Sequence, residues 1–494
     1  MSTKSAKKRL GIVGGLGALA GADVYFKLVR TMAKSGIADR YDVLFEQHPF
    51  EGAATPVDDK ADLSGRKLYI YDMMKRFEDR KVDSVLVPCF LSHTFLPELA
   101  SASTLPLVDI IDAVLAHLHD AFPPPRTIGI LTSDYVRKRG LFERRFADAG
   151  YTLAYPSAAT QDSRVMQAIY GKRGIQSGNI EGSAVELLHE ACMELLEHGA
   201  DVIVPGTTEI AIVADSLRTL GVPIIDTNQA YADFALEHDR RERPRPFKVG
   251  IIGGVGPAAT VDFMRKIVNN TEARRDQDHI RMVVEHNPGI PDRTANLIGD
   301  GEDPTIALYA ACKRLEENDA NLIAIPCNTA HAYVARIQPH LSVPIVNMLH
   351  ETVSHIVRRH PECRKVGVLA TSGTVASKVY HDAIAAGSLE TIVPDEHHQA
   401  LVMDAIYGEQ GVKAGHIEGA CKRQLRTAME HLAARGADVL ILGCTELPLL
   451  QAEDPALPLA GRHVAVLDPT AILARRCVQL SRHADHAADG AADA

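Results

Sequence analysis

Two cysteine motifs in the carboxyl-terminal half carry residue types able to move a proton. Pro326-Cys327-Asn328-Thr329-Ala330-His331 follows the apolar run 321–325, and Gly443-Cys444-Thr445-Glu446 follows the run 439–442. Each run reads as a buried strand that ends in thiol, hydroxyl and amide side chains. That places a nucleophile or proton carrier at the carboxyl edge of a sheet, where open α/β sheets hold their ligands. Two such thiols, one per lobe, could reach a single carbon from opposite faces and invert a stereocentre. A lone cysteine after a strand is ordinarily a small apolar filler; two in matching polar settings point to function. Cys192, Cys312, Cys363, Cys421 and Cys477 lack that setting and are expected to be structural.

The elements that must position these thiols occur twice. Gly11-Ile12-Val13-Gly14-Gly15-Leu16-Gly17 matches Gly250-Ile251-Ile252-Gly253-Gly254-Val255-Gly256, and Val87-Pro88-Cys89 with His93 matches Ile325-Pro326-Cys327 with His331. Ala168-Ile169-Tyr170-Gly171 matches Ala405-Ile406-Tyr407-Gly408, and Gly206-Thr207-Thr208-Glu209 matches Gly443-Cys444-Thr445-Glu446. The near-constant offset describes a tandem duplication. Within each copy, apolar runs alternate with helical patterns, the signature of right-handed βαβ units and a parallel sheet. The expected architecture is α/β: two tandem copies, each of two similar lobes with a parallel sheet flanked by helices and a cleft between the lobes. Copy 1 is placed at residues 1–240, with lobes at about 9–115 and 116–235. A charged, proline-containing linker is read at 237–247, and copy 2 at 248–475 with lobes at about 248–350 and 362–475. The tail 482–494 has little to bury and is expected to be disordered.

Composition narrows the function. With 494 residues the chain exceeds one core. Hydrophobic content of 46% and charged content of 23% are those of an ordinary globular protein. A net charge of −10 advertises neither nucleic acid nor anionic lipid as a partner. The 8 cysteines form no CxxC pairs, which argues against a zinc site or a disulfide framework. Lys4, Lys7, Lys8 and Arg9 before the first glycine motif loosely imitate a leader peptide, but the same motif returns at 248–254, so a structural strand and loop is the simpler reading. No apolar stretch is long enough to span a membrane. The expected location is the cytoplasm.

Several motifs admit a plain and a functional reading. Gly254-Val255-Gly256-Pro257-Ala258-Ala259 has the form of a dinucleotide loop, but no acidic residue stands where a ribose would need it. A tight strand-to-helix turn is the plainer account, and its N–H groups could still hold a carboxylate. His331 could simply bond within its helix. Glu446 could cap the following helix or tune the Cys444 thiol. Arg293, in Pro291-Asp292-Arg293-Thr294, is either a solvated surface residue or a bidentate partner for a carboxylate.

Taken together, Gly253-Gly254-Val255-Gly256-Pro257, Pro-Asp-Arg-Thr at 291–294, Pro-Cys-Asn-Thr-Ala-His, Ile406-Tyr407-Gly408 with Lys413, and Gly-Cys-Thr-Glu resemble the cofactor-independent aspartate/glutamate racemase family. The match covers copy 2 from about 248 to 475. The resemblance implies an amino-acid racemase acting on a small acidic amino acid, with no cofactor and no metal. It implies Cys327 and Cys444 as the acid/base thiols. It places the α-carboxylate on Asn328, Thr329 and Thr445 and the distal carboxylate near Arg293 and Lys413, with Thr371 as a further contact. Gly254, Gly256, His331 and Glu446 would support the site. One cysteine must act as thiolate while the other waits as thiol, so the site must depress one of two pKa values that start near about 8.5.

Copy 1 departs from this pattern. Cys89 remains, but Phe90 and Leu91 stand where copy 2 has Asn328 and Thr329, Thr207 replaces the second cysteine, Gln47-His48-Pro49-Phe50-Glu51-Gly52 replaces the arginine loop and Gln176 replaces the lysine. It is expected not to racemise an acidic amino acid. It is read instead as a built-in partner that makes the chain an internal pseudo-dimer, with pairing into a homodimer left open. A one-cysteine site for another substrate is the alternative. For the whole chain, the rival readings are another superfamily reaction (decarboxylase, isomerase or hydantoin racemase) or a non-catalytic binding protein for an anionic metabolite.

Overall fold

Strand residues that are apolar on both faces need helices on both faces of their sheet, and that is the arrangement found. The computed structural model describes residues 7–52, 55–237 and 246–492. The chain divides into two units, Met1–Arg245 and Pro246–Ala494.

In the first unit, β1 (Lys8–Val13), β2 (Tyr41–Glu46), β3 (Ser84–Leu86) and β4 (Leu107–Val108) form a parallel sheet in the order β2-β1-β3-β4. A second parallel sheet, β6-β5-β7, holds β5 (Arg126–Leu131), β6 (Tyr151–Ala154) and β7 (Val202–Pro205). The second unit repeats the plan. Its first sheet, β11-β10-β8-β9, consists of β8 (Lys248–Gly253), β9 (Arg281–His286), β10 (Leu322–Ala324) and β11 (Ile345–Val346), all parallel. Val249, Ile251 and Ile252 in β8 are fully buried. The sheet of the other lobe, β13-β12-β14-β16-β15, contains β12 (Lys365–Leu369), β13 (Glu390–Ile392), β14 (Val439–Leu442), β15 (Asp454–Leu459) and β16 (Arg462–Leu467).

Three features differ from the expectation. The β15–β16 pair is antiparallel, closed by Ala460 and Gly461 with φ of 48° and 75°, so this sheet is not wholly parallel. Positive φ at both turn residues is the hairpin geometry that matches strand twist. The last helix of each unit, read with the second lobe, packs chiefly on the first. Tyr231 Oη, in the helix Thr227–Glu237, donates to Val108 O at 2.8 Å and accepts from Val87 N at 3.0 Å. Leu473, Ala474 and Cys477, in the helix Pro469–Ala492, share a core with Val249, Ile251 and Phe263, and Lys266 pairs with Asp468 at the crossing. Finally, the segment expected to lack structure from Arg482 continues that helix as far as Ala492. Alanine extends a helix readily once a packed segment has nucleated it. Of the expected linker, residues 238–245 lie outside the described residues.

Candidate active site

β10 and β14 end at the same cleft of the second unit, and each delivers a cysteine there. Cys327 belongs to the apolar core of the first lobe and Cys444 to that of the second. Both are 7% exposed and both line one small, closed cavity of about 20 Å³. Arg293, Asn328, Thr329, Thr371, Lys413, Thr445 and Glu446 line it as well. Residues spread over more than 150 positions thus converge on one space because the carboxyl ends of two parallel sheets face it.

The two sulfurs have opposite electrostatic surroundings. Cys444 Sγ donates to Glu446 Oε2 at 3.0 Å. Burial first, and the Glu446 charge second, push the Cys444 pKa well above that of a free thiol. Glu446 Oε1 lies 3.5 Å from Lys413 Nζ, which also sits 4.7 Å from the centroid of the Tyr407 ring. Burial opposes the ammonium charge, but Glu446 holds the Lys413 pKa above its ordinary value. On the other side stands Arg293. Burial opposes its charge too, and the nearby Cys327 sulfur and Asp292 carboxylate outweigh that and raise its pKa. Arg293 Nη1 donates to the carbonyls of Ile290 and Pro291 at 3.2 and 3.0 Å, while its buried Nε has no hydrogen-bond partner among the described residues.

Asn328 is 2% exposed. Tyr380 Oη donates to its Oδ1 at 2.6 Å, and the buried Nδ2 has no partner among the described residues. A buried donor left unmade is costly in a folded protein, so Asn328 Nδ2 and Arg293 Nε are two donors awaiting an acceptor. Beside them is a hydroxyl cluster. Thr329 Oγ1 lies 2.7 Å from Thr374 Oγ1 and 3.4 Å from Thr371 Oγ1, and Thr294 Oγ1 donates to Thr371 Oγ1 at 3.1 Å. Thr371 also accepts from Thr374 N as the cap of the helix Ser372–Ala376.

The glycine loop is shaped for this site. Gly254 has φ of 85°, and a Cβ there would stand 2.4 Å from the Asn287 carbonyl carbon. Gly256 has φ of 112°, and its Cβ would stand 2.7 Å from Glu446 Oε1. His331 supports the site without lining the cavity. Its Nε2 accepts from Met348 N at 3.1 Å, so the proton is on Nδ1, which donates to Cys327 O at 2.9 Å. Burial pushes the His331 pKa down to about 4, which keeps the ring neutral. Tyr380, Tyr407, Thr294 and Thr374 complete the arrangement and were not singled out from sequence. Tyr407 and Thr294 lie in the Ile-Tyr-Gly and Pro-Asp-Arg-Thr motifs; Tyr380 and Thr374 carried no signal.

The equivalent cleft of the first unit brings Cys89, Phe90, Leu91, Gln176, Thr207 and Glu209 together. Thr207 caps the helix Thr208–Ile212 by accepting from Ile210 N at 3.4 Å. Gln176 Nε2 donates to Glu209 Oε1 at 3.1 Å, where the second unit has its lysine–glutamate pair. One residue there was not foreseen: Arg66 reaches Cys89.

Metal-ligating side chains also meet outside the clefts, at Asp395, His398 and His431, whose ligand atoms lie within 4.8 Å of one another. The two imidazoles are stacked 3.8 Å apart and nearly parallel at 15°, which turns their in-plane lone pairs side by side, away from convergence on one point. Asp395 caps the helix Glu396–Tyr407 by accepting from His398 N at 2.9 Å. The cluster is accounted for by stacking and capping. Among the described residues no helix is long and apolar enough to cross a membrane.

This arrangement, two lobes per unit closing on a polar cavity, agrees with the sequence relationships. The Asp/Glu/hydantoin racemase family matches residues 13–235 and again 252–477, and the chain belongs to that family as a tandem pair. It is similar to the broad specificity amino-acid racemase RacX of Bacillus subtilis (strain 168), 28% identical over 47% of this chain and 96% of that protein. It is also similar to the glutamate racemase of Shewanella baltica (strain OS155), 29% identical over 34% of this chain and 58% of that enzyme. Among solved structures, the aspartate racemase of Picrophilus torridus is 30% identical over 48% of this chain and 94% of its own, with a TM-score of 0.41.

Proposed function

We propose that the second unit racemises an acidic amino acid, aspartate or glutamate, by passing a proton at Cα between Cys327 and Cys444 without pyridoxal. The observation that carries this reading is the shared cavity, with one thiol beside a guanidinium and the other beside a carboxylate. A proton relay of this kind needs one sulfur charged and the other protonated at the same moment. In the proposed relay Cys444 starts as the thiol held on Glu446, and Cys327, the sulfur that faces the Arg293 guanidinium, takes the opposite role. After transfer the roles reverse, and the Lys413–Glu446 pair can follow the change in charge.

The ligand supplies what the empty donors lack. Its α-carboxylate is assigned to Asn328 Nδ2 with Thr329 and Thr445, where preset donors meet the charge that develops as Cα loses its proton. Its distal carboxylate is assigned to Arg293, with Lys413 near by. Lys413 is already committed to Glu446, so Arg293 is the cation that selects an acidic side chain. The buried walls keep water from the carbanionic intermediate. In the first unit Thr207 takes the place of the second thiol, and a hydroxyl that caps a helix does not abstract a Cα proton at neutral pH.

The test is incubation of the full chain with L-aspartate, L-glutamate and L-alanine separately in D₂O, with no added cofactor. Deuterium at Cα together with the D-enantiomer is expected for an acidic substrate. Binding with no exchange would support a binding protein, and equal turnover of L-alanine would remove the role given to Arg293.

A further inference from the structure

The first unit carries a buried cation that its sequence pattern does not announce. Arg66, in the helix Ser64–Asp79, is 5% exposed, and its Nη1 donates to Cys89 Sγ at 3.6 Å. Its guanidinium lies 5.0 Å from the centroid of the Phe50 ring. Among the described residues no carboxylate forms an ion pair with it. A guanidinium taken out of water without a counter-ion is expensive, and such charges in proteins are normally paired. The corresponding helix of the second unit opens with Thr305-Ile306-Ala307, so Arg66 is no remnant of the duplicated pattern.

We propose that the first unit's cleft binds a small organic monocarboxylate, with Arg66 as the partner of the carboxylate and Cys89 beside it. Three observations set the ligand class. Arg66 is the one cation lining the described cavity, since Gln176 stands where the second unit has Lys413, so a single negative charge is matched. Glu209 also lines the cavity, and burial raises its pKa against the opposing charge of Arg66; a second carboxylate would meet this buried acid with Arg66 as the one cation to serve both. The remaining wall includes Phe90, Leu91 and Val136, which suits a short apolar substituent. The site therefore takes a different ligand from the acidic amino acid assigned to the second unit. It stands independently of that assignment.

The experiment uses the full chain and reads Cys89 alone. Iodoacetate and iodoacetamide both alkylate a thiolate: the S–C bond forms, iodide leaves, and the thiol proton passes to solvent. Only iodoacetate carries the carboxylate. Alkylation of the Cys89 peptide, followed by mass spectrometry, is expected to saturate with iodoacetate and to run roughly tenfold faster than with iodoacetamide. Propanoate should protect Cys89 and propanamide should not. Arg66→Gln should erase the preference and Arg66→Lys should retain part of it. The protection measurement needs no variant, so it stands if Arg66→Gln fails to fold. Equal rates for the two reagents with no protection by propanoate would mean that Arg66 serves only as a counter-ion to the sulfur, and the proposal would fall.

Discussion

Glu446 Oε2 accepts the Cys444 Sγ–H at 3.0 Å while its Oε1 faces Lys413 Nζ at 3.5 Å, so a single carboxylate joins a thiol to a cation. After burial, the charge of Glu446 is the main cause that raises the Cys444 pKa. Removing the charge must lower it. Glu446→Gln is expected to make Cys444 alkylate faster at pH 7, by about tenfold for each unit by which the pKa falls. Peptide mapping after iodoacetamide treatment reads this directly. An unchanged rate would mean that burial alone sets the thiol.

The two sulfurs should be separately indispensable. Serine keeps the shape of each side chain but is a far weaker acid, so Cys327→Ser and Cys444→Ser are each expected to cost racemisation about 10²–10⁴-fold. Chiral chromatography of the product, starting from each enantiomer, measures it. Turnover that survives in either variant would contradict a two-thiol relay.

His331 makes the second unit sensitive to acid. Its ring is buried and neutral, with a folded pKa of about 4 against 6.5 for the free side chain. Between those values the unfolded chain binds the proton and the folded chain does not, so stability rises with pH across this window. The contribution is complete above about pH 6.5 and is lost as pH falls towards 4. At its limit it is worth about 3 kcal/mol. Urea unfolding at pH 7 and pH 4.5 should show that loss, and His331→Asn should reduce the difference between the two pH values. An equal difference in the variant would place the acid sensitivity elsewhere.

Residues near strand ends were legible in the sequence; their partners were not. Cys327 and Cys444 announce themselves because apolar runs precede them, and Arg293 and Lys413 because their motifs accompany the thiols. Nothing in the chain, however, links Tyr380 to Asn328, 52 positions apart and buried together. Glu446 read equally as a cap or a tuner of the thiol, and only the geometry brings it to Sγ. Arg66 lies in a helix rich in charged residues, where a solvated face is the ordinary reading. The apolar residues at 471–478 likewise do not say which lobe their helix covers. Asp468, on the strand side, and Lys266, some 200 positions earlier, decide that.

The Tyr380–Asn328 bond orients an amide. With Oδ1 held by Tyr380 Oη at 2.6 Å, Nδ2 is the group left for a ligand. Tyr380→Phe removes one neutral hydrogen bond, about 0.5–1.5 kcal/mol, and frees the amide to turn its oxygen towards a carboxylate. KM for the acidic substrate is expected to rise up to about tenfold, with kcat falling less. A fall confined to kcat would mean that the amide acts on the reacting carbon and does not position the ligand.

Gly256 tests whether the glycine loop serves the thiol. A Cβ at this position would stand 2.7 Å from Glu446 Oε1, in a backbone with φ of 112° that L-residues rarely adopt. Gly256→Ala should therefore cost about 1–3 kcal/mol of stability and should displace the carboxylate from Cys444. Racemisation is expected to fall more than the loss of folded protein explains. The cause can be isolated with Glu446→Asp, whose shorter side chain withdraws from the added methyl. If the contact is responsible, Gly256→Ala will be less harmful in the Glu446→Asp background than in the parent, a coupling that neighbouring residues show and distant ones do not. Strictly additive losses would trace the damage to the strained turn alone and detach the loop from the chemistry of Cys444.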